Sequence, residues 1–183
     1  MISSEKIAQA DIASLTVIKY PDPRLAEVGT PVVVFDQKLR QLAERMFELM
    51  FATKGVGLAA NQVGITVQMF VASPSYESDD RLVCVNPKIV EADGWMEDEE
   101  GCLSVPGINV SINRRAVVKL QAQDLDGNVF EITGTELLAR IIQHETDHLN
   151  GMLIIDKMGS VAKLASRRTI RQLEEKYAKA NQA

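Results

Sequence analysis

Both histidines of this chain fall in one stretch, RIIQHETDHLNG at 140–151, four residues apart and with Glu145 beside the first. Residues four apart share a face of an α-helix. His144 and His148 can therefore aim two imidazole nitrogens at one centre if the stretch is helical. Glu145 lies about 100° round the helix from His144, close enough to act on a water bound there. This is the H-E-x-x-H arrangement, two metal ligands and a general base. Two buried histidines satisfied by carbonyls would be the bland alternative, and an odd use for every imidazole a chain has. Leu137 and Ile141 stand seven and three residues before His144 on the same helical face, as core or as walls of an apolar substrate pocket.

A catalytic site of this kind needs a third protein ligand and an open position. Downstream, Gly151 fits the longer pattern H-E-x-x-H-x-x-G-x-x-H, but Ile154 stands where its third histidine belongs. Glu174 and Glu175 lie in a basic helical segment with the look of a solvated surface. Upstream, EEGCLSVPG at 99–107 sets Cys102 in a glycine-flanked turn. A thiolate is a good soft ligand, and a metal holds it deprotonated. Cys84, inside the apolar run RLVCVNP, reads instead as a buried core thiol.

The rest of the pattern surrounds that helix with strands. YPDPRL at 20–25 reads as turn chemistry. A helix starts after Asp36 as N-cap, presents Leu39, Leu42, Met46, Leu49 and Met50 on one face, and stops by Gly55. GVGLAANQ at 55–62 is too rich in glycine for a regular helix and too apolar for an ordinary surface loop. VQMFVA at 67–72 and RLVCVNP at 81–87 flank the polar loop SPSYESDD. AVVKLQAQD at 116–124 turns through DGN at 126–128 into VFEIT, a hairpin. The histidine helix runs from about Thr135 to Gly151. A last helix fits 160–180, with Leu164, Ile170, Leu173 and Tyr177 as its apolar side. No βαβ alternation appears, so the expected fold is α+β: antiparallel sheets around a central helix carrying H-E-x-x-H, with an N-terminal and a C-terminal helix. Residues 1–183 are expected to form a single metallohydrolase domain, with 1–14 as an N-terminal extension and 160–183 as a C-terminal helix.

Charge and cysteine usage narrow the setting. Two cysteines do not make a disulfide framework. No apolar run spans a membrane, and the acidic residues Glu5 and Asp11 do not suit a targeting segment. A cytoplasmic, bacterial setting is expected, with a mature organellar form as the alternative the sequence leaves open. The net charge of −5 offers no general attraction to nucleic acid, but residues 157–183 carry seven Lys/Arg against two Glu.

Three stretches together resemble the peptide deformylases, whose motifs are a G-x-G-x-A-A-x-Q loop, an E-G-C-L-S turn and a Q-H-E-x-D-H helix. This sequence reads GVGLAANQ at 55–62, EGCLS at 100–104 and QHETDH at 143–148. YPDPRL and Arg114 are also similar to the family, and the likeness runs in order from about Leu15 to Asp156. The resemblance implies hydrolysis of the N-formyl group from the N-terminal formylmethionine of nascent polypeptides, releasing formate. It implies Cys102, His144 and His148 as ligands of one divalent metal, with Fe(2+) expected in the cell and Zn(2+) or Ni(2+) able to take the site. Glu145 becomes general base and acid to a metal-activated hydroxide, and Gln62 and the backbone N–H of Leu103 hold the formyl oxygen. Val56, Gly57, Leu137 and Ile141 are the expected substrate contacts, and Arg114 with Asp147 a pair that steadies the helix from behind. Where some members carry a substrate-contacting arginine after the cysteine turn, this chain has Asn109; a second glycine found in many members is also missing there. The basic C-terminal helix would suit docking on the ribosome, whose surface is rich in RNA.

Overall fold

The computed structural model describes residues 3–77 and 79–181. Residues 1, 2, 78, 182 and 183 lie outside the described residues, and with them the ends of the expected N-terminal extension and C-terminal helix. Helix α1 (Ser3–Gln9) is followed by α2 (Gln37–Ala52), α3 (Glu136–Leu149), α4 (Ile154–Lys157) and α5 (Ser160–Ala180). Among the described residues the strands are β1 (Gly57–Ala59), β2 (Met69–Ala72), β3 (Leu82–Asp93), β4 (Met96–Gly101), β5 (Asn109–Arg114), β6 (Val117–Gln123) and β7 (Val129–Thr135). They form two antiparallel sheets, one in the order β1-β2-β3-β6-β7 and a ribbon of β4 with β5.

The larger sheet is covered on both faces, which explains why β2 is buried at every position. Successive side chains alternate across a strand. Met69 and Val71 therefore join the cluster under α2, with Leu39, Leu42, Met46 and Met50. Phe70 and Ala72 join the opposite cluster under α3, with Ala139, Ile142, Leu149, Cys84 and Leu120. Asp36 caps α2 by accepting from the Leu39 N–H at 3.0 Å. Ile7 of α1 is buried in the same cluster as α2.

Helix α3 thus packs on the larger sheet through Ala139, Ile142 and Leu149 and meets the ribbon through Arg140 and His144, which reach Glu100 of β4. Gly151 follows its end with φ +73°, and an added Cβ would lie 2.9 Å from the Ala26 carbonyl carbon and closer still to its oxygen. Only glycine combines that backbone conformation with that approach. Beneath the ribbon a third cluster joins Val105, Ile108, Val110 and Ile112 to Leu153, Ile154 and Met158.

Two expectations need correction. The C-terminal helix does form, but Leu164 is not on its packed side: it is 72% exposed. Ala162, Ile170 and Leu173 face the third cluster. At about 100° per residue Leu164 lies about 120° from Ile170, off the packed stripe. Cys102 does open the expected turn, but it is not on a polar surface there. It follows the last residue of β4 and is buried among Val105, Ile108 and Val110. Among the described residues no helix is long and apolar enough to cross a membrane.

Candidate metal centre

Three donors converge where α3 passes the end of β4. Cys102 Sγ lies 3.2 Å from His148 Nε2, which lies 3.2 Å from His144 Nε2. One ligand atom from each of the three residues falls within 4.8 Å of the others, the grouping of this kind found among the described residues. Burial alone would raise the Cys102 thiol. The charge of His148 and hydrogen bonds with both imidazoles reverse this and hold it well below its ordinary range. The His144 ring is fixed from behind, because its Nδ1 donates to Glu100 Oε2 at 2.9 Å. Nε2 is then the ring nitrogen left to face the other two donors and a metal. A buried thiolate with two oriented imidazoles fits a borderline-soft divalent ion such as zinc, iron or nickel.

Glu100 is the hub of a buried ion network. Its carboxylate takes Arg114 Nε at 2.8 Å and Nη2 at 2.9 Å, and Arg140 Nη1 at 2.6 Å. Arg140 also donates to the carbonyls of Ile112 and Met96, both at 3.1 Å. Arg114 reaches on to Asp147, which takes Lys157 Nζ at 2.9 Å on its other oxygen. Burial would push the Glu100 carboxyl up, and the hydrogen bonds from Arg114 and His144 overcome it and hold the group well below the carboxylate range.

Glu145 has the opposite surroundings. It is buried, and its Oε2 has no protein partner among the described residues. Burial pushes its carboxyl up to about 6, against the lowering effect of the two histidines. It is pressed against Gly57: a Cβ there would sit 2.9 Å from Glu145 Cδ and 3.0 Å from Cγ. Gly57 is therefore the residue that leaves room for the carboxylate.

These groups open into a cavity of about 360 Å³. Val56, Gly57, Leu137 and Ile141 line it together with Gln62, Cys102, Leu103, His144 and Glu145. Leu137 is 47% exposed, at the rim, whereas Ile141 is buried. Gln62 is held by its Oε1, which accepts from the Ala59 N–H at 2.8 Å. Its Nε2 lies 3.2 Å from Ser104 Oγ and 3.6 Å from Cys102 Sγ. Arg114 and Asp147 meet behind α3. Asn109 opens β5 opposite Gly101. Glu174 accepts from the Tyr20 hydroxyl at 2.9 Å and Glu175 pairs with Arg171, neither at the cluster.

Sequence reasoning missed the roles of Glu100 and Arg140. Arg140 carried a signal: a guanidinium one turn from His144, among apolar neighbours, must find a buried anion. Glu100 carried none, since MEDEE at 96–100 offers several acids and only the pleat decides which one turns inward.

Comparison with known proteins agrees with this geometry. The family model described as polypeptide deformylase matches residues 14–164. The chain is 48% identical to a peptide deformylase of Chromobacterium violaceum, over 82% of this chain and 90% of that one. It is 41% identical to the chloroplastic/mitochondrial peptide deformylase 1B of Arabidopsis thaliana, over 89% of this chain and 61% of that one. The crystal structure of a peptide deformylase from Legionella pneumophila superposes with a TM-score of 0.84 at 39% identity, covering 90% of this chain and 97% of that one.

Proposed function

The chain belongs to the polypeptide deformylase family, and from that premise we propose how its own residues remove the N-formyl group from formylmethionine at the start of nascent polypeptides. The observation that carries the reading is a Cys-His-His donor set, of which Cys102 and His144 line one cavity with a buried carboxylate that has an unpartnered oxygen. Cys102, His144 and His148 would hold one divalent metal, with ferrous iron as the cellular ion and zinc or nickel as substitutes. When bound, that ion polarises the formyl carbonyl and lowers the pKa of water.

The protein's residues do the rest. Glu145 accepts the proton of the attacking water and returns it to the leaving amine nitrogen. A carboxyl raised toward neutrality suits both halves of that task. Gln62 Nε2 and the Leu103 N–H donate to the oxygen of the tetrahedral adduct. Gln62 is pre-aimed by its own bond to Ala59, and one of its two N–H bonds turns from Ser104 Oγ or Cys102 Sγ to reach that oxygen. Val56 and Ile141 pack the methionine side chain, and Leu137 closes the rim. Formate and a free amino terminus leave.

Formate release from a formyl-Met tripeptide tests this, using protein purified anaerobically with iron beside Glu145→Gln loaded with the same metal. Turnover by the wild type and near-silence of the variant are expected. A fully metallated wild type that releases no formate sinks the reading. The exposed basic residues of α5 (Lys163, Arg167, Arg168 and Arg171) fit docking on the ribosome's RNA-rich surface. Removing residues 160–183 should weaken ribosome binding, and more so at low salt than at high. A bacterial cytoplasm or the interior of an organelle would supply such nascent chains.

A further inference from the structure

The segment Ile18–Tyr20 touches both donors assigned to the oxyanion. The Ile18 N–H donates to the Gln62 carbonyl at 2.8 Å, and the Tyr20 N–H donates to the Ser104 carbonyl at 2.8 Å. Between them, Lys19 Nζ donates to the Leu103 carbonyl at 2.7 Å, across 84 residues of sequence. Cys102 to Val105 form a turn, closed by the Val105 N–H on the Cys102 carbonyl at 3.0 Å. Three consecutive carbonyls of this turn are thus each held by a named donor. Among the described residues no acceptor meets the Leu103 N–H, and Leu103 lines the cavity.

The middle peptide of a four-residue turn is its weak point. Its carbonyl has no partner inside the turn, so the residue that bears it is tied down only by a donor from outside. Here the middle carbonyl is that of Leu103. We propose that Lys19 is a positioning residue for the reaction: its ammonium pins the Leu103 carbonyl, ties the backbone of that residue to the 18–20 segment and so limits how far the Leu103 N–H can move from the developing oxyanion. The proposal rests on the deformylase reading for its catalytic consequence, though not for the turn itself. Lys19 does not line the cavity, and its side-chain bond goes to the Leu103 carbonyl and to none of the three donors. It acts through the geometry of a donor that must be in place before charge develops. A charged donor holds a carbonyl more strongly than a neutral one, which suits a single contact made from a distant segment.

Lys19→Met keeps the aliphatic stem and deletes the donor, and Lys19→Arg keeps a cationic one. Removing an oxyanion donor outright costs about 10²–10³ in kcat, and loosening one should cost about tenfold. Lys19→Met is therefore expected to lower kcat about tenfold at unchanged KM and metal content, with Lys19→Arg restoring most of it. Amide exchange at Val105, whose N–H closes the turn, should quicken several-fold in Lys19→Met and return toward the wild-type rate in Lys19→Arg. Exchange is read without substrate, so it tests the pinned turn even if the deformylase reading fails. A wild-type kcat in Lys19→Met, or a loss confined to KM or to metal content, overturns the catalytic role. Unchanged exchange at Val105 overturns the pinning.

Discussion

Two carboxylates flank the same histidine and have been given opposite surroundings. Glu100 stands behind His144 with both oxygens occupied, by two arginines and the imidazole. Glu145 stands in front, with one oxygen unpartnered and a glycine cleared away beside it. Both groups are buried, so burial is not what separates them. Partners separate them. The paired carboxylate is locked in its charged form and can only hold things still. The unpaired one is pushed up to about 6 and can take and give a proton. A metal site of this kind needs both, one to orient a ligand and one to do chemistry, and the protein obtains them from the same functional group.

The comparison is sharpest in activity. Glu145→Gln should lower kcat by about 10³–10⁴, the upper range for loss of a general base. It should leave the melting temperature unchanged or higher, because it replaces a buried ionisable carboxyl with a neutral amide of the same shape. Steady-state formate release and a thermal melt on one metal-loaded sample measure both. Glu145→Gln that melts well below wild type would show that Glu145 also holds structure, and the contrast would collapse.

Glu100→Ala should show the opposite balance. It leaves Arg114 and Arg140 buried around a missing anion, and breaking such a network by one partner costs about 3–5 kcal/mol. Metal affinity should fall about 10–100-fold, because His144 loses the group that orients its ring. Urea unfolding with competitive chelation reads the two losses separately. A stable Glu100→Ala that binds metal normally would show that the arginines hold α3 without their hub.

Gly57→Ala probes the space rather than the charge. The new methyl would press on the Glu145 carboxylate, which must move. A displacement near 1 Å in a reacting group is worth about 10²-fold in rate. Stability should change little, since the neighbour that yields is a side chain with no partner on one oxygen. Rate and stability moving together would mean that the backbone of β1 shifts instead of Glu145.

The sequence made one half of this contrast readable and hid the other. Glu145 was legible because its neighbours in sequence are its neighbours in space: helical spacing alone sets it beside His144 and His148. Cys102 was legible as a donor, although its burial was not, since packing beneath the ribbon comes from residues far off in sequence, such as Leu25 at 77 positions and Met158 at 56. The strand at 116–124 followed from its alternation, and the hairpin from DGN. Glu100 stayed hidden because its partners, Arg114, Arg140 and His144, lie 14, 40 and 44 residues off. The ribbon of β4 with β5 was missed for a related reason: MEDEEG is too acidic to read as a strand until its partner is known. Leu164 shows the converse error, where residue type pointed inward but helical geometry turned the side chain out.

Asp147 lies at the outer end of the Glu100 network and marks how far that locked region extends. It accepts from Arg114 on one oxygen and from Lys157 on the other, and its side chain keeps 14% of its exposure, against 4% for Glu100. Asp147→Asn retains an acceptor for Arg114 while removing the charge, and water can reach the site to compensate. The expected loss is about 1 kcal/mol, below the range for a fully buried pair. Metal affinity should stay within about twofold of wild type, because Glu100 still fixes the His144 ring and still receives Arg114 through Nε and Nη2. The same urea and chelation measurements decide it. A loss as large as that of Glu100→Ala would make Asp147 and Glu100 one cooperative unit. A small loss places the boundary between locked and adjustable charge at Arg114, whose guanidinium is the last group in the chain of contacts that water does not reach.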